Sequence, residues 1–173
     1  MSIFHALDGR ALGDSNEPLE VINSEDNRLA LLALLPQARR VLRIVSRDLD
    51  CKIYEHADTV AAIKGFALGS RRSDVRIIVH DISQIVSREH RLVDLQRRMP
   101  SYISIRTPTK EHQDYNGAFL VVDGIGVLHR KYADRYEGVA NFNDPQTARE
   151  LANLFGEMWE HATVPPDLRT LAL

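Results

Sequence analysis

The chain has 173 residues, 44% hydrophobic and 27% charged, which is enough apolar content for one real core and ordinary for a globular domain. A formal charge of −2 gives no overall attraction to nucleic acid or to an anionic membrane, so neither is an expected partner. The single cysteine, Cys51, excludes an internal disulfide framework and a cysteine-built zinc site. In chain order, residues 1–18 mix Gly, Asp, Asn, Ser and one Pro, and predict a flexible N-terminal arm. The arm lacks the basic start and apolar stretch of a signal peptide. No apolar run is long enough to span a bilayer, so the expected location is the cytoplasm. Glu20–Asn23 predicts a short edge strand. Ser24 is expected to cap a helix whose face is Leu29, Leu31, Leu32, Leu34 and Leu35, with Pro36 near its end.

Val41–Ser46 reads as a strand, with Arg47, Asp48, Leu49 and Asp50 after its C-terminal end. Asp58 is expected to cap a helix over Thr59–Leu68, where Val60, Ile63, Phe66 and Ala67 share a face and Gly69 is the stop. Val75–Val79 predicts the next strand, with His80 and Asp81 at its end. Residues 84–98 predict one helix: Ile85, Val86, Leu92 and Leu95 face inward, and Arg88, Arg91, Arg97 and Arg98 face out. Pro100 stops it, and Tyr102–Ile105 alternates like a strand. Ala118–Val122 and Val127–His129 are strands around a turn at Asp123, Gly124 and Gly126. A polar loop then ends in Gly138–Phe142. The last helix starts at Asn143-Asp144-Pro145 and runs to about His161, burying Ala148, Leu151, Leu154, Phe155, Met158 and Trp159. Residues 19–163 thus form one domain, followed by a tail over 164–173. Strands separated by helices imply parallel pairing through right-handed crossovers, while the closely spaced later strands imply antiparallel pairing. The expected class is α/β, a mixed central sheet with helices on both faces.

Ligands in open α/β sheets bind beyond the carboxyl ends of strands. Arg47 there suits an anion that Asp48 and Asp50 orient; the plainer alternative is an Arg–Asp ion-pair network. His80 and Asp81 are adjacent, so their side chains point apart. His90 faces the cleft or sits on the helix surface. His112, with Glu111 or Asp114 to orient it, is a possible acid/base or nucleophile; the alternative is a loop histidine. Arg135 suits bidentate phosphate binding, or its loop (Tyr136, Glu137, Asn141) satisfies itself and caps the last helix. The histidines are scattered, and no metal constellation, phosphate-cradling loop or cofactor is expected. Arg135-x-x-Gly138-x-Ala140 fits the pattern that holds the coenzyme A pyrophosphate in GNAT acetyltransferases. That reading requires a helix directly after Ala140.

The stretch NGAFLVVDGIGVLHRKYADRYEGVANF, residues 116–142, is a strand, a tight turn, a strand and a Gly-x-x-Asn-Phe loop before the last helix. It resembles the C-terminal half of the phospholipase D-like fold, and the resemblance covers roughly residues 20 to 162. Active members of that family carry His-x-Lys, four residues, then Asp; the His is the nucleophile and the Lys holds phosphate. Counting back from Asp123 puts Asn116 at the His position and Ala118 at the Lys position, so only the Asp matches. More narrowly, SRDLD at 46–50, EHRL at 89–92 and RYEGVANFNDP at 135–145 resemble a small bacterial domain family of unestablished function. Its members occur alone or attached to GNAT-type acetyltransferases. The resemblance implies a phospholipase D-like half-domain that pairs as a homodimer. It also implies a polar cleft at the strand ends and Asn141 in a supporting position. The expectation is a noncatalytic accessory domain that binds a small anionic ligand or a partner protein. The alternatives are a GNAT-like acetyltransferase taking coenzyme A and a residual phosphodiesterase or nuclease using His112 or His90.

Overall fold

The mostly apolar β2 (Val41–Ser46) and the wholly apolar β5 (Ala118–Val122) pair antiparallel inside a seven-stranded sheet, with Ile44 opposite Leu120. The computed structural model describes residues 3–169. The remaining strands are β1 (Leu19–Val21), β3 (Asp74–Val79), β4 (Ile103–Arg106), β6 (Gly126–Arg130) and β7 (Gly138–Asn141), and the spatial order is β1-β7-β6-β5-β2-β3-β4. On one side of β5 the strands β2, β3 and β4 run parallel; on the other, β6, β7 and β1 are antiparallel hairpin or edge strands. The sheet is therefore mixed, as expected from the spacing of elements.

One face is packed by α1 (Phe4–Leu7), α2 (Ser24–Leu34), α3 (Cys51–Tyr54), α4 (Ala57–Leu68), α5 (Ser83–Ser87) and α6 (Arg91–Arg98). Their core includes Leu31, Leu34, Ile63, Phe66, Leu92 and Leu95 against Leu42, Ile44, Ile77 and Leu120. The other face is covered by α7 (Pro145–His161), which sets Ala148, Phe155, Met158 and Trp159 on Val45, Ile78, Phe119, Val121 and Val127. Because strand side chains alternate, β2 and β5 feed both cores, so β5 is buried at every position. Trp159 also lies under two guanidinium groups, with Arg106 at 4.2 Å and Arg76 at 5.4 Å from its ring centroid. Among the described residues no helix is long and apolar enough to cross a membrane.

Several local expectations are corrected. The single helix over 84–98 is two, α5 and α6, broken where Glu89 takes φ 50°. The loop ending in Gly138–Phe142 is a strand, β7, paired on both edges. Asn23, not Ser24, caps α2, its side chain accepting from the Asp26 N–H, and His56, not Asp58, caps α4. The helix α7 begins at Pro145, as expected, with the Asp144 carboxylate accepting from the Thr147 N–H at 3.1 Å.

The arm expected over 1–18 is docked where it is described. Leu7 is buried, the Gln37 side chain bonds the Leu12 N–H and the Arg10 carbonyl, and the Gly13 N–H donates to the Phe142 carbonyl. The first two residues of that arm and residues 170–173 of the tail lie outside the described residues.

Candidate functional site at the strand ends

β2 and β3 finish at the same end of the sheet where β5 begins, and this end gathers most of the residues singled out above. Backbone bonds tie the loops after β2 and β3 together: the His80 N–H donates to the Ser46 carbonyl at 3.2 Å and the Asp81 N–H to the Arg47 carbonyl at 2.6 Å. Asn116 is the meeting point of the other loops. Its side-chain carbonyl accepts from Arg47 Nη2 at 2.9 Å, and its backbone carbonyl accepts from the Ala133 N–H at 2.7 Å. The loops carrying Arg47 and Arg135 therefore meet at Asn116.

Both arginines are exposed, and neither is in an ion pair among the described residues. The ion-pair network weighed as an alternative for Arg47 is therefore not what the structure shows. Arg135 lies over the Tyr132 ring, 5.3 Å from its centroid. Asp48 is exposed. Partial desolvation and the nearby Asp50 and Asp81 carboxylates push its acid group up from the ordinary carboxylate value. Asp50 is spoken for: one oxygen caps the Lys52 N–H and the other accepts from the Tyr136 hydroxyl at 2.6 Å. That bond, with burial second, raises the Tyr136 hydroxyl to about 12.

The histidines divide clearly. His90 is buried, with Nε2 at 2.9 Å from the Leu49 carbonyl and Nδ1 accepting from the Leu92 N–H at 3.1 Å. Both ring nitrogens are committed to backbone, and burial holds the ring below the ordinary histidine value. His80 is half-buried, its Nε2 3.3 Å from the His112 carbonyl, and burial lowers it too. His112 stands in a 3-10 turn, Lys110–His112, with a buried Nδ1 that has no partner among the described residues. Glu111 and Asp114 make no bond to it among the described residues.

Asn141 and Asp123 are not at this end. β7 runs antiparallel to β6, and Asn141 pairs opposite Val127, near the β5–β6 turn. It bonds Asn16 and the Asn143 N–H. Asp123, in that turn at φ 52°, accepts from the N–H groups of Arg39, Arg40 and Val41 at 2.8, 2.9 and 2.9 Å. The matching Asp is thus a clamp on the entry to β2, remote from Arg47. Gly138 and Ala140 are strand residues between β1 and β6. Their amides are engaged in the sheet and do not open into a helix, which removes the geometry a coenzyme A pyrophosphate needs.

One residue was missed. Arg130, the last residue of β6, is 7% exposed and lies directly across from Ala118. Its Nη1 donates to the Arg135 carbonyl at 2.9 Å, and its guanidinium sits 5.6 Å from the Tyr136 ring centroid. The available signal was parity: Arg130 shares the inward phase of Leu128 along the strand. No three His, Cys, Asp or Glu side chains among the described residues cluster to hold a metal.

Solved structures with this arrangement were found at low identity. Nuc from Salmonella typhimurium, a phospholipase D family member, superposes with a TM-score of 0.58 at 18% identity, covering 85% of this chain and 97% of that one. NucT from Helicobacter pylori gives 0.58 at 18% identity, covering 85% and 98%. The archaeal chromatin protein TrmBL2 gives 0.62 at 15% identity, covering 87% of this chain and 53% of that one. These likenesses show a phospholipase D-like fold. No curated protein sequence matches the chain. A family model described as a domain of unknown function, DUF7931, matches residues 23–171, and the chain belongs to that family.

Proposed function

We propose that this chain is a phospholipase D-like binding module that does not hydrolyse phosphodiesters and that takes a compact anion at the strand ends. The observation that carries the reading is Asn116. It replaces the nucleophile, and its side chain holds Arg47 in place while the loop of Arg135 folds onto its carbonyl. Neither His80 nor His90 stands in for the nucleophile, because their ring nitrogens face backbone groups. Two exposed guanidinium groups, without carboxylate partners among the described residues, can receive an anion in the fork geometry that suits phosphate, Arg47 with the donors not given to Asn116.

The expected result with a chromogenic diester is no turnover. Activity that survives repurification and is lost in His112→Ala would contradict the reading and transfer the chemistry to the His112 ring. The binding half is tested by thermal shift with phosphate, sulfate and a nucleotide panel. Arg47→Gln and Arg135→Gln should leave the melting temperature of the unliganded protein nearly unchanged. Each should weaken anion binding roughly tenfold to a hundredfold, the worth of one charge-assisted hydrogen bond. Absence of any anion response in the wild type ends the reading.

A further inference from the structure

β2 and β3 start side by side, and four arginines stand there in two pairs, Arg39-Arg40 before β2 and Arg71-Arg72 before β3. The Asp74 N–H donates to the Arg40 carbonyl at 2.9 Å, which ties the two loops together. All four residues are exposed, and none of their side chains is in an ion pair among the described residues. Asp74 and Asp123, the carboxylates of this corner, are already engaged. Asp74 holds Arg43 at 2.9 Å and Arg76 at 3.2 Å, and Asp123 accepts from three backbone N–H groups. A chain with a formal charge of −2 thus concentrates unpaired positive charge at one corner, at the end of β2 away from Arg47.

Beside these arginines lies a groove of about 500 Å³ between the Leu35–Gln37 turn and α4. Leu35, Ala38, Ala62 and Phe66 form its apolar wall, while Arg39 and the loop from Ser70 to Ser73 form its rim. Gly65 keeps the groove open. A glycine inside a helix is unfavourable relative to alanine. The packing here does not demand one, because a Cβ on Gly65 would meet nothing within 4 Å. What the missing side chain provides is room in the groove. We infer that this corner docks an acidic segment of a partner protein, which lays an aliphatic side chain in the groove and its carboxylates on the four arginines. Nucleic acid fits less well: a polyphosphate has nothing to offer the apolar wall, and no exposed aromatic residue lines the groove for a base to stack on. A bilayer is too flat to enter it. The surface is separate from the strand-end anion site, and neither reading depends on the other.

The probes are peptides selected on the wild type from a random display library, then synthesised and labelled for fluorescence anisotropy. A DNA duplex of mixed sequence and vesicles of anionic phospholipid are measured alongside. The selected peptides should carry Asp or Glu around at least one aliphatic residue. Arg71→Glu combined with Arg72→Glu should weaken their binding roughly tenfold or more, because attraction becomes repulsion. Gly65→Gln should weaken it by a similar factor by filling the groove, and should melt at or above wild type because the helix loses an interior glycine. Arg149→Gln, which removes an exposed charge on α7, should change nothing. Higher ionic strength should weaken wild-type binding while the effect of Gly65→Gln persists. A selection that yields no acidic peptide overturns the inference, as do acidic peptides that bind the arginine variant and Gly65→Gln as well as wild type. Binding of peptide, duplex or vesicles that falls with the arginine pair but ignores Gly65→Gln makes the corner a charged patch without a groove, and overturns it too. An arginine variant that melts well below wild type shows these side chains to be structural, with the same consequence.

Discussion

Asp123→Ala should lower stability by about 3 kcal/mol, a fall in melting temperature of roughly 6–12 °C for a domain of this size. Three backbone N–H groups, from Arg39, Arg40 and Val41, end on its two oxygens. They fix the start of β2 against the β5–β6 turn. The Asp123 N–H closes the same corner by donating to the Val41 carbonyl at 2.9 Å. The residue also sits at φ 52°, where Asp is tolerated and Ala costs roughly 1 kcal/mol. The substitutions can therefore be ordered. Asp123→Asn retains the left-handed preference and one acceptor oxygen, and should lose least. Asp123→Gly relieves the backbone but leaves all three donors without their partner, and should fall in between. Urea denaturation of the three variants checks the order. An alanine variant within about 0.5 kcal/mol of wild type, the range of ordinary surface changes, would show that water replaces the carboxylate at no cost. The same variants should leave any anion response intact, because Asp123 lies at the end of the sheet away from Arg47.

This clamp explains what the motif comparison could and could not tell. A three-residue catalytic pattern contains positions with different physical duties. The Asp position supports the strand corner and so is useful with or without chemistry. The two residues that the spacing sets against His and Lys are Asn116, whose side chain holds Arg47, and Ala118, a buried strand residue. The fold class was readable because β5 is a continuous apolar run, β2 and β3 are mostly apolar around Arg43 and Arg76, and α7 announces itself with Asp144-Pro145 and an apolar face. β7 was not readable. Gly138–Asn141 is short and lies among polar residues, and its pairing with β1 joins residues far apart in the chain. The break between α5 and α6 was hidden because the inward pattern of Ile85, Leu92 and Leu95 continues across it. Arg130 was hidden for a related reason. A strand-terminal arginine normally reaches solvent, and it is the later Tyr136 loop that closes over this one. Asn141 was placed by analogy at the ligand end, and the antiparallel turn of β7 carries it to the other.

His90→Ala should lose about 3 kcal/mol near pH 7, and it should also flatten the acid side of the stability profile. His90 joins the two loops whose backbones take left-handed turns, Leu49 at φ 51° and Glu89 at φ 50°. Its Nε2 holds the Leu49 carbonyl and its Nδ1 receives the Leu92 N–H, which also caps α6. A carbonyl only accepts and an amide N–H only donates, so these partners fix the neutral ring with its proton on Nε2. Protonating Nδ1 would set one donor against another, in a site where burial already holds the ring below the ordinary histidine value. The sign follows from linkage. With the folded value depressed, the unfolded chain binds the extra proton first as pH falls below about 6.5. Stability is therefore fully present above that pH and is lost as pH drops toward the folded value, by at most about 1.4 kcal/mol per unit from this one group. His80 and His129 are depressed by burial as well and add to the wild-type slope. Denaturation free energies at pH 7.5, 6.5, 5.5 and 5.0 should show His90→Ala weaker at neutral pH and converging on wild type in acid. Parallel profiles for the two proteins would mean that His90 protonates alike in both states, and would contradict the neutral-ring assignment. Convergence would identify His90 as the lock that holds the Leu49 loop, and with it Asp48 and Asp50, in place beside the strand ends.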